Sequence, residues 1–307
     1  MSFRLILFGF MAAIGASVAG CAEATLIRRT ALVPAPVAPT QTGFALEKGE
    51  VQLSGVIDSG AVTPYTSNDG LFFGRTGVAG DPGVLLPRLQ LGVNARVGIS
   101  RTFELGAFVR YAAHEWAEPN VHGVLRFPAS DAPDIWSGGI GMRVNVSLAD
   151  PRLQLAFIGD LVMAQVAEAV FLCVNPRICG GGALVGDETA DDIYSFQRVD
   201  REFFVLPQLG IHFGYAVIPE LMPFIALGMT TSVTNTGFSN DLSSAPNDSL
   251  ESYTMGYFAL GIEGRLEAAT LNLALFMPFG GVDLIDFGPM FNMRIGATFG
   301  GSAPFDE

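Results

Sequence analysis

The sequence predicts an all-β fold, a transmembrane antiparallel up-and-down β-barrel of about ten strands. Three observations predict it. Apolar residues recur at every second position through most of the chain. The joins between these alternating runs are short and long in strict turn. The 307 residues are half hydrophobic and 15% charged, with 37 glycines, yet beyond the first twenty residues no run is apolar and long enough for a spanning helix.

The N-terminus is read first. Arg4 supplies a short positive region, Leu5 to Val18 an apolar one, and small residues follow down to Val18-Ala19-Gly20-Cys21. That is the layout of a secretory signal peptide. The last four residues resemble the lipobox of bacterial lipoproteins, with Val18 in place of the preferred leucine. The resemblance implies cleavage before Cys21 and acylation of Cys21 itself. Several acyl chains anchor firmly where one would not, because each buried methylene contributes about 0.8 kcal/mol. Ala22 follows the cysteine, and in that family the absence of Asp at this position favours export to the outer membrane. Residues 1–20 are therefore expected to be a signal peptide and 21–48 a lipidated tether. The tether carries Pro34-Ala35-Pro36-Val37-Ala38-Pro39-Thr40-Gln41-Thr42, a composition that resists helix and sheet and stays extended.

Residues 49–300 form the expected barrel, with 301–307 as a tail. The first strand is Glu50–Asp58. The clearest alternation runs from Leu85 to Ile99, where Leu89, Leu91, Val93, Ala95 and Val97 oppose Arg88, Gln90, Asn94 and Arg96. Phe103, Leu105, Ala107, Val109 and Tyr111 then oppose Glu104, Phe108 and Arg110. A fourth strand covers Ile140 to Leu148 and a fifth Leu153 to Leu161. The stretch from Leu161 to Leu172 reads equally as an extension of that strand or as a short helix. Later strands lie near Phe203–Tyr215, Leu221–Val233, Tyr253–Arg265, Thr270–Met277 and Met290–Phe299. Short joins at Ser100-Arg101, Ala149–Pro151, Ala216–Glu220 and Leu266–Ala269 alternate with long ones, as periplasmic turns alternate with external loops. An even strand count puts both ends of the barrel on the short-turn side, so both termini are expected in the periplasm. Pro207 falls inside a strand and implies a late start or a bulge there.

In this pattern the chain resembles a small bacterial outer-membrane β-barrel protein across residues 49–300. The resemblance implies location in a Gram-negative outer membrane. Phe299 resembles the aromatic that ends many such barrels, although Gly300 to Glu307 follow it.

One strand face is apolar; the other mixes glycine with polar residues and should line the lumen. Arg88, Arg96, Arg110, Arg143 and Arg294 point that way, with Glu104, Asp160 and Glu263. Asn145 and His212 join them, as do Gln90, Asn94, Gln154, Gln208, Asn272 and Asn292. Ten strands lie close to the eight that side chains can fill, so an interior network of paired charges and a largely plugged lumen are expected. A narrow anion or small-solute pore lined by surplus arginines is the alternative.

Acids outnumber bases 30 to 17, a net charge of −13, which argues against nucleic-acid binding. Most acids fall in the long joins, including Asp187-Glu188-Thr189-Ala190-Asp191-Asp192, which lacks the glycine-turn spacing of a calcium loop. Cys173 and Cys179 sit in the longest join, and an oxidising compartment makes a disulfide between them the expected state. No cofactor or metal is expected. A hydrolase at the outer rim is a third reading, since His114 and His122 share a join with Asp131 and Asp134. His114-Glu115-Trp116-Ala117-Glu118 lacks the second histidine of a zinc helix, however, and no Gly-x-Ser-x-Gly elbow occurs, so an enzyme is not expected. The expected partners are outer-membrane lipids, lipopolysaccharide, and an extracellular ligand or envelope protein met through the loops. The favoured role is structural or surface interaction, because loops on a rigid scaffold carry binding.

Overall fold

The computed structural model describes residues 27–35, 38–60, 84–85, 87–113, 134–173, 194–235, 250–279 and 289–300. The strands in chain order are β1 (Ile27–Leu32), β2 (Val51–Gly60), β3 (Val84–Leu85), β4 (Leu89–Ser100), β5 (Phe103–Ala112) and β6 (Ile135–Val146). They continue as β7 (Leu153–Cys173), β8 (Tyr194–Tyr215), β9 (Leu221–Asn235), β10 (Leu250–Leu266), β11 (Ala269–Phe279) and β12 (Met290–Phe299). β2 and β4 to β12 form a closed ring of ten. Each pairs antiparallel with its neighbours in sequence, and β12 closes on β2. Closure gives every strand of the ring a partner on both sides, which a bilayer demands because it offers no water to an unpaired N–H or C=O.

The outer surface is apolar. Leu53, Val93, Ile140, Phe157, Leu209, Leu227 and Ile295 are each roughly half exposed or more, and Val93 and Ile140 exceed 60%. Alternate residues on the same strands, such as Gln52, Asn94, Arg96 and Arg294, are buried inside. A water-soluble barrel would need the reverse arrangement, so this is a transmembrane barrel. Aromatics cluster at both rims. Phe299 and Tyr215 are exposed at the short-turn end, and Phe203, Phe279 and Trp136 at the other. Tyr111 packs on Trp136 with ring centroids 4.7 Å apart, and its hydroxyl donates to Asp134 at 2.6 Å.

The strand borders follow the alternation closely. The stretch from Leu161 to Leu172 belongs to β7 as strand and not helix; with β8 it forms a long ribbon that rises past the barrel rim, pairing as far as Cys173 with Tyr194. The one register shift in that ribbon lies between Val170 and Phe171, not at Pro207. Pro207 sits two residues beyond the last β8–β9 pair, Leu209 with Met229. On that edge its missing N–H costs no ladder bond.

The largest departure concerns the Pro-rich stretch. It is extended, as its composition requires, but it runs through the barrel and not beside it. β1 pairs antiparallel with the risen part of β7, Ile27 opposite Leu172 and Leu32 opposite Ala167, and parallel with β3. The chain then descends the lumen. Leu32 to Ala35 and Ala38 to Thr42 are buried, as are Phe44 and Leu46. It emerges at the short-turn end, where Gly49 N–H donates to Gly98 O at 2.7 Å, and there it enters β2. Residues 27–32 therefore lie at the long-loop end, opposite to the side expected for the tether. The physical reason is that a strand-lined polar lumen and a segment without internal hydrogen bonds complete each other.

Candidate functional site

The lumen has two sides. The wall from β7 to β10 contributes Ala156, Ile158, Ala226, Tyr257 and Ala259, which with Phe276 and Met290 pack around Ala35 and Ala38. Nearer the long-loop end Val33 packs with Phe108, Val162, Leu206, Val233 and Met255. Near the other end Phe44 packs with Ala216 and Met222. Small residues in the threaded segment let it fit this bore. The remaining wall is charged and amide-rich, and it faces Thr40 to Leu46.

There most of the backbone groups of the threaded segment meet a side chain of the wall. Arginines take its carbonyls. Arg294 donates to Thr40 O at 2.6 Å. Arg143 donates to Gln41 O at 2.9 Å and Gly43 O at 2.7 Å. Arg96 donates to Thr42 O at 3.3 Å and Phe44 O at 3.0 Å. Acceptors take its N–H groups. Thr40 N–H donates to Asp160 at 2.9 Å and its hydroxyl to the same carboxylate at 2.7 Å. Gly43 N–H donates to His212 Nε2 at 3.2 Å, Phe44 N–H to Glu263 at 3.2 Å, Ala45 N–H to Gln154 at 2.9 Å and Leu46 N–H to Glu104 at 3.1 Å. The arrangement replaces a β-ladder by arginine donors on the carbonyls and carboxylate, amide and imidazole acceptors on the N–H groups. Left unpaired in the lumen, each such group would cost about 1–3 kcal/mol.

The charged groups also hold one another. Glu104 accepts from Arg96 at 2.6 Å and from Asn145 at 3.0 Å, and lies 3.6 Å from Arg143. Arg143 Nε donates to Asn145 at 2.6 Å. Arg110 donates to Asp58 at 2.8 Å and to Asn94 at 2.7 Å, and Asn292 donates to the other oxygen of Asp58. Asn272 donates to Glu263 at 2.9 Å. Buried charges survive when each is paired and hydrogen-bonded. Gly43 has a positive φ of 102°. A Cβ there would collide with the Glu263 carboxylate, so both conformation and space call for glycine.

Of the residues read from the sequence as lumen-lining, Arg96, Glu104, Arg110, Arg143, Asp160, His212, Glu263 and Arg294 have buried side chains inside the ring. Asn145 is half-buried beside them, and Arg88 is half-buried just before β4 at the long-loop rim. Arg96, Arg143, Arg294, Glu104, Asp160, His212 and Glu263 all meet on the threaded segment. Sequence reasoning missed Asp58, Gln52 and the segment itself. The available signal was the polar run Thr40-Gln41-Thr42-Gly43 between the prolines and Phe44, unusual in a tether. Arginines that looked surplus are those that hold carbonyl oxygens.

Cys173 ends β7. Cys21 and Cys179 lie outside the described residues, as do His114, His122, Asp131 and the acidic run 187–192. Among the described residues no group of three or more His, Cys, Asp or Glu is placed to hold a metal ion.

No protein-family model matches this sequence, and no curated protein matches it. Solved structures of similar architecture include an outer membrane channel from Pseudomonas putida F1, 11% identical, covering 86% of this chain and 100% of that one with a TM-score of 0.40. LpxR from Salmonella typhimurium is 10% identical, covering 81% and 100%, with a TM-score of 0.36. The N-terminal β-barrel domain of Pseudomonas aeruginosa OprF is 6% identical, covering 83% and 100%, with a TM-score of 0.28.

Proposed function

We propose that this chain is a lipid-anchored barrel of the Gram-negative outer membrane, kept shut by its own N-terminal segment, with a structural or surface-interaction role. The observation that carries the reading is the side-chain ladder on Thr40 to Leu46. The inward charges that could select a passing ion are engaged with that backbone or with each other. A pore needs charges that face the permeant ion and a site it can leave. With the lumen closed, the parts free to act are the acidic joins at the long-loop end, pinched by a Cys173–Cys179 disulfide. Their charge suits contact with lipopolysaccharide through bridging divalent cations, or with a basic surface on another protein.

The test is single-channel conductance of the full-length folded protein in a planar bilayer. The native protein is expected to be silent, and Arg96→Ala and Arg143→Ala to open intermittently as the segment loosens. Steady anion-selective openings of the native protein would overturn the reading and make transport the function.

A further inference from the structure

The geometry points to a surface-displayed N-terminus: the mature chain begins at the long-loop end of the barrel, so that Cys21 and its lipid sit in the outer leaflet, facing the cell exterior. This rests on the lipidation of Cys21 proposed above, but the threading does not. The direction of the thread follows from the order of its contacts. Ile27 lies opposite Leu172, eight residues past Ala164, the last residue of β7 to pair with β6. Ala35 O accepts from Gln90, near the start of β4. Thr40 meets Asp160, Leu46 meets Glu104, and Gly49 meets Gly98 at the opposite turn. The segment thus crosses the full height of the ring once, from the end with long loops to the end with short turns.

Chain length then bounds where Cys21 can be. Five residues lie between it and Ile27, six steps along the chain and a reach of at most about 20 Å at roughly 3.3–3.6 Å per step. The apolar band of such a barrel is about 25 Å tall, and Ile27 already stands above the rim on the β7–β8 ribbon. No path of that length returns the cysteine to the inner leaflet. A drop of about 20 Å does bring it back to the leaflet on its own side. The lipid cannot be drawn through afterwards, since the bore around Ala35 and Ala38 is packed with Tyr257, Phe276 and Met290. The ring must therefore close around a segment whose acylated end is already on the outer side. A chain built this way carries two membrane attachments in different places, the strands across the bilayer and the acyl chains in the outer leaflet beside them.

The experiment uses the full chain expressed in Gram-negative cells. One version carries an epitope between Ala24 and Thr25, a second in the Glu267-Ala268 turn, a third in the 236–249 join. On intact cells the N-terminal epitope is expected to bind antibody to the same level as the 236–249 epitope, while the turn epitope binds only after permeabilisation. An N-terminal epitope that behaves like the turn epitope overturns the proposal. Because an epitope can disturb threading, the untagged Thr30→Cys/Ala169→Cys chain is a second measurement. These residues are register partners, so a disulfide that shifts mobility on a non-reducing gel, absent from either single variant, is expected. Its absence also counts against the thread. Incorporation of an alkyne fatty acid, lost in Cys21→Ser, reads the anchor separately. Surface epitope without acylation would remove the lipid and leave the threading; acylation with a hidden epitope would do the reverse.

Discussion

Arg143→Ala tests the side-chain ladder where it is densest. The guanidinium gives two hydrogen bonds to the threaded backbone, at 2.9 Å to Gln41 O and 2.7 Å to Gly43 O. Hydrogen bonds from a charged donor contribute about 1.5–3 kcal/mol each, so roughly 3–6 kcal/mol of local attachment is at stake. Two features reduce the loss. Glu104 keeps Arg96 at 2.6 Å, so no carboxylate is left without a cation. The vacated volume also lies among polar groups and admits water, which partly re-satisfies the carbonyls. A loss of about 2–4 kcal/mol for local opening of residues 38–46 is therefore expected. That converts to hydrogen exchange roughly 30- to 700-fold faster at the amides of Thr40, Gly43, Phe44 and Leu46, at 1.4 kcal/mol per tenfold. Amides in β4, β5 and β11 should keep their protection, since their ladder bonds do not involve Arg143. Native-state exchange read by mass spectrometry in lipid nanodiscs measures both sets. Unchanged exchange at 38–46 would refute the claim that Arg143 holds the segment. Uniform acceleration of the strands would refute the claim that the segment opens independently of the barrel.

Three further outcomes are expected. A Cβ on Gly141 would collide with the Asp160 carboxylate and stand 2.8 Å from Gln41 Nε2 and 3.0 Å from Thr40 Oγ1, so Gly141→Val should push aside the carboxylate that holds Thr40, displace the segment and expose 38–46 to exchange while the ring still folds; retained protection there would refute the packing. Val93 is 61% exposed on the lipid face, and Val93→Arg should cost about 2–4 kcal/mol in folding titrations into lipid vesicles, whereas a cost near zero would mean that face does not meet hydrocarbon. In the turn after β6, hydrogen bonds from Arg152 hold the Asp150 carboxyl below its ordinary value. Its small contribution to stability is therefore present above the ordinary carboxylate range and lost as pH falls through the lowered value. An NMR titration should find Asp150 protonating at lower pH than it does in Arg152→Ala.

Much of the architecture was legible because alternation has a simple cause. A lipid-facing residue must be apolar and its neighbours must point inward, so β4, β5 and β12 announce themselves residue by residue. Join lengths then placed the turns and loops. The lumen charges were legible for the same reason, since a polar residue on the inward phase of a strand has nowhere else to point. Three features were not legible. β7 loses its alternation past Met163, where Ala164 to Val170 are buried, because the ribbon above the rim packs against protein and not against lipid. Asp58 closes the first strand expected from the sequence, and its role in the lumen is invisible until Arg110 and Asn292 are seen around it. The third is the segment from Leu32 to Leu46, whose proline content says extended but not extended against what.

Local sequence by itself determined the strands of the ring, their number and the inward and outward faces, because each follows from the preference of a residue for lipid or for polar surroundings at its own position. The tertiary structure decided what fills the ring and which end the chain starts from. A backbone without secondary structure has donors and acceptors but no periodic signature, and its partners, Arg96, Glu104, Arg143, Asp160, His212, Glu263 and Arg294, are spread over seven strands. Only closing the ring brings those strands to face one axis, and only then do seven scattered polar residues become a single binding site for Thr40 to Leu46.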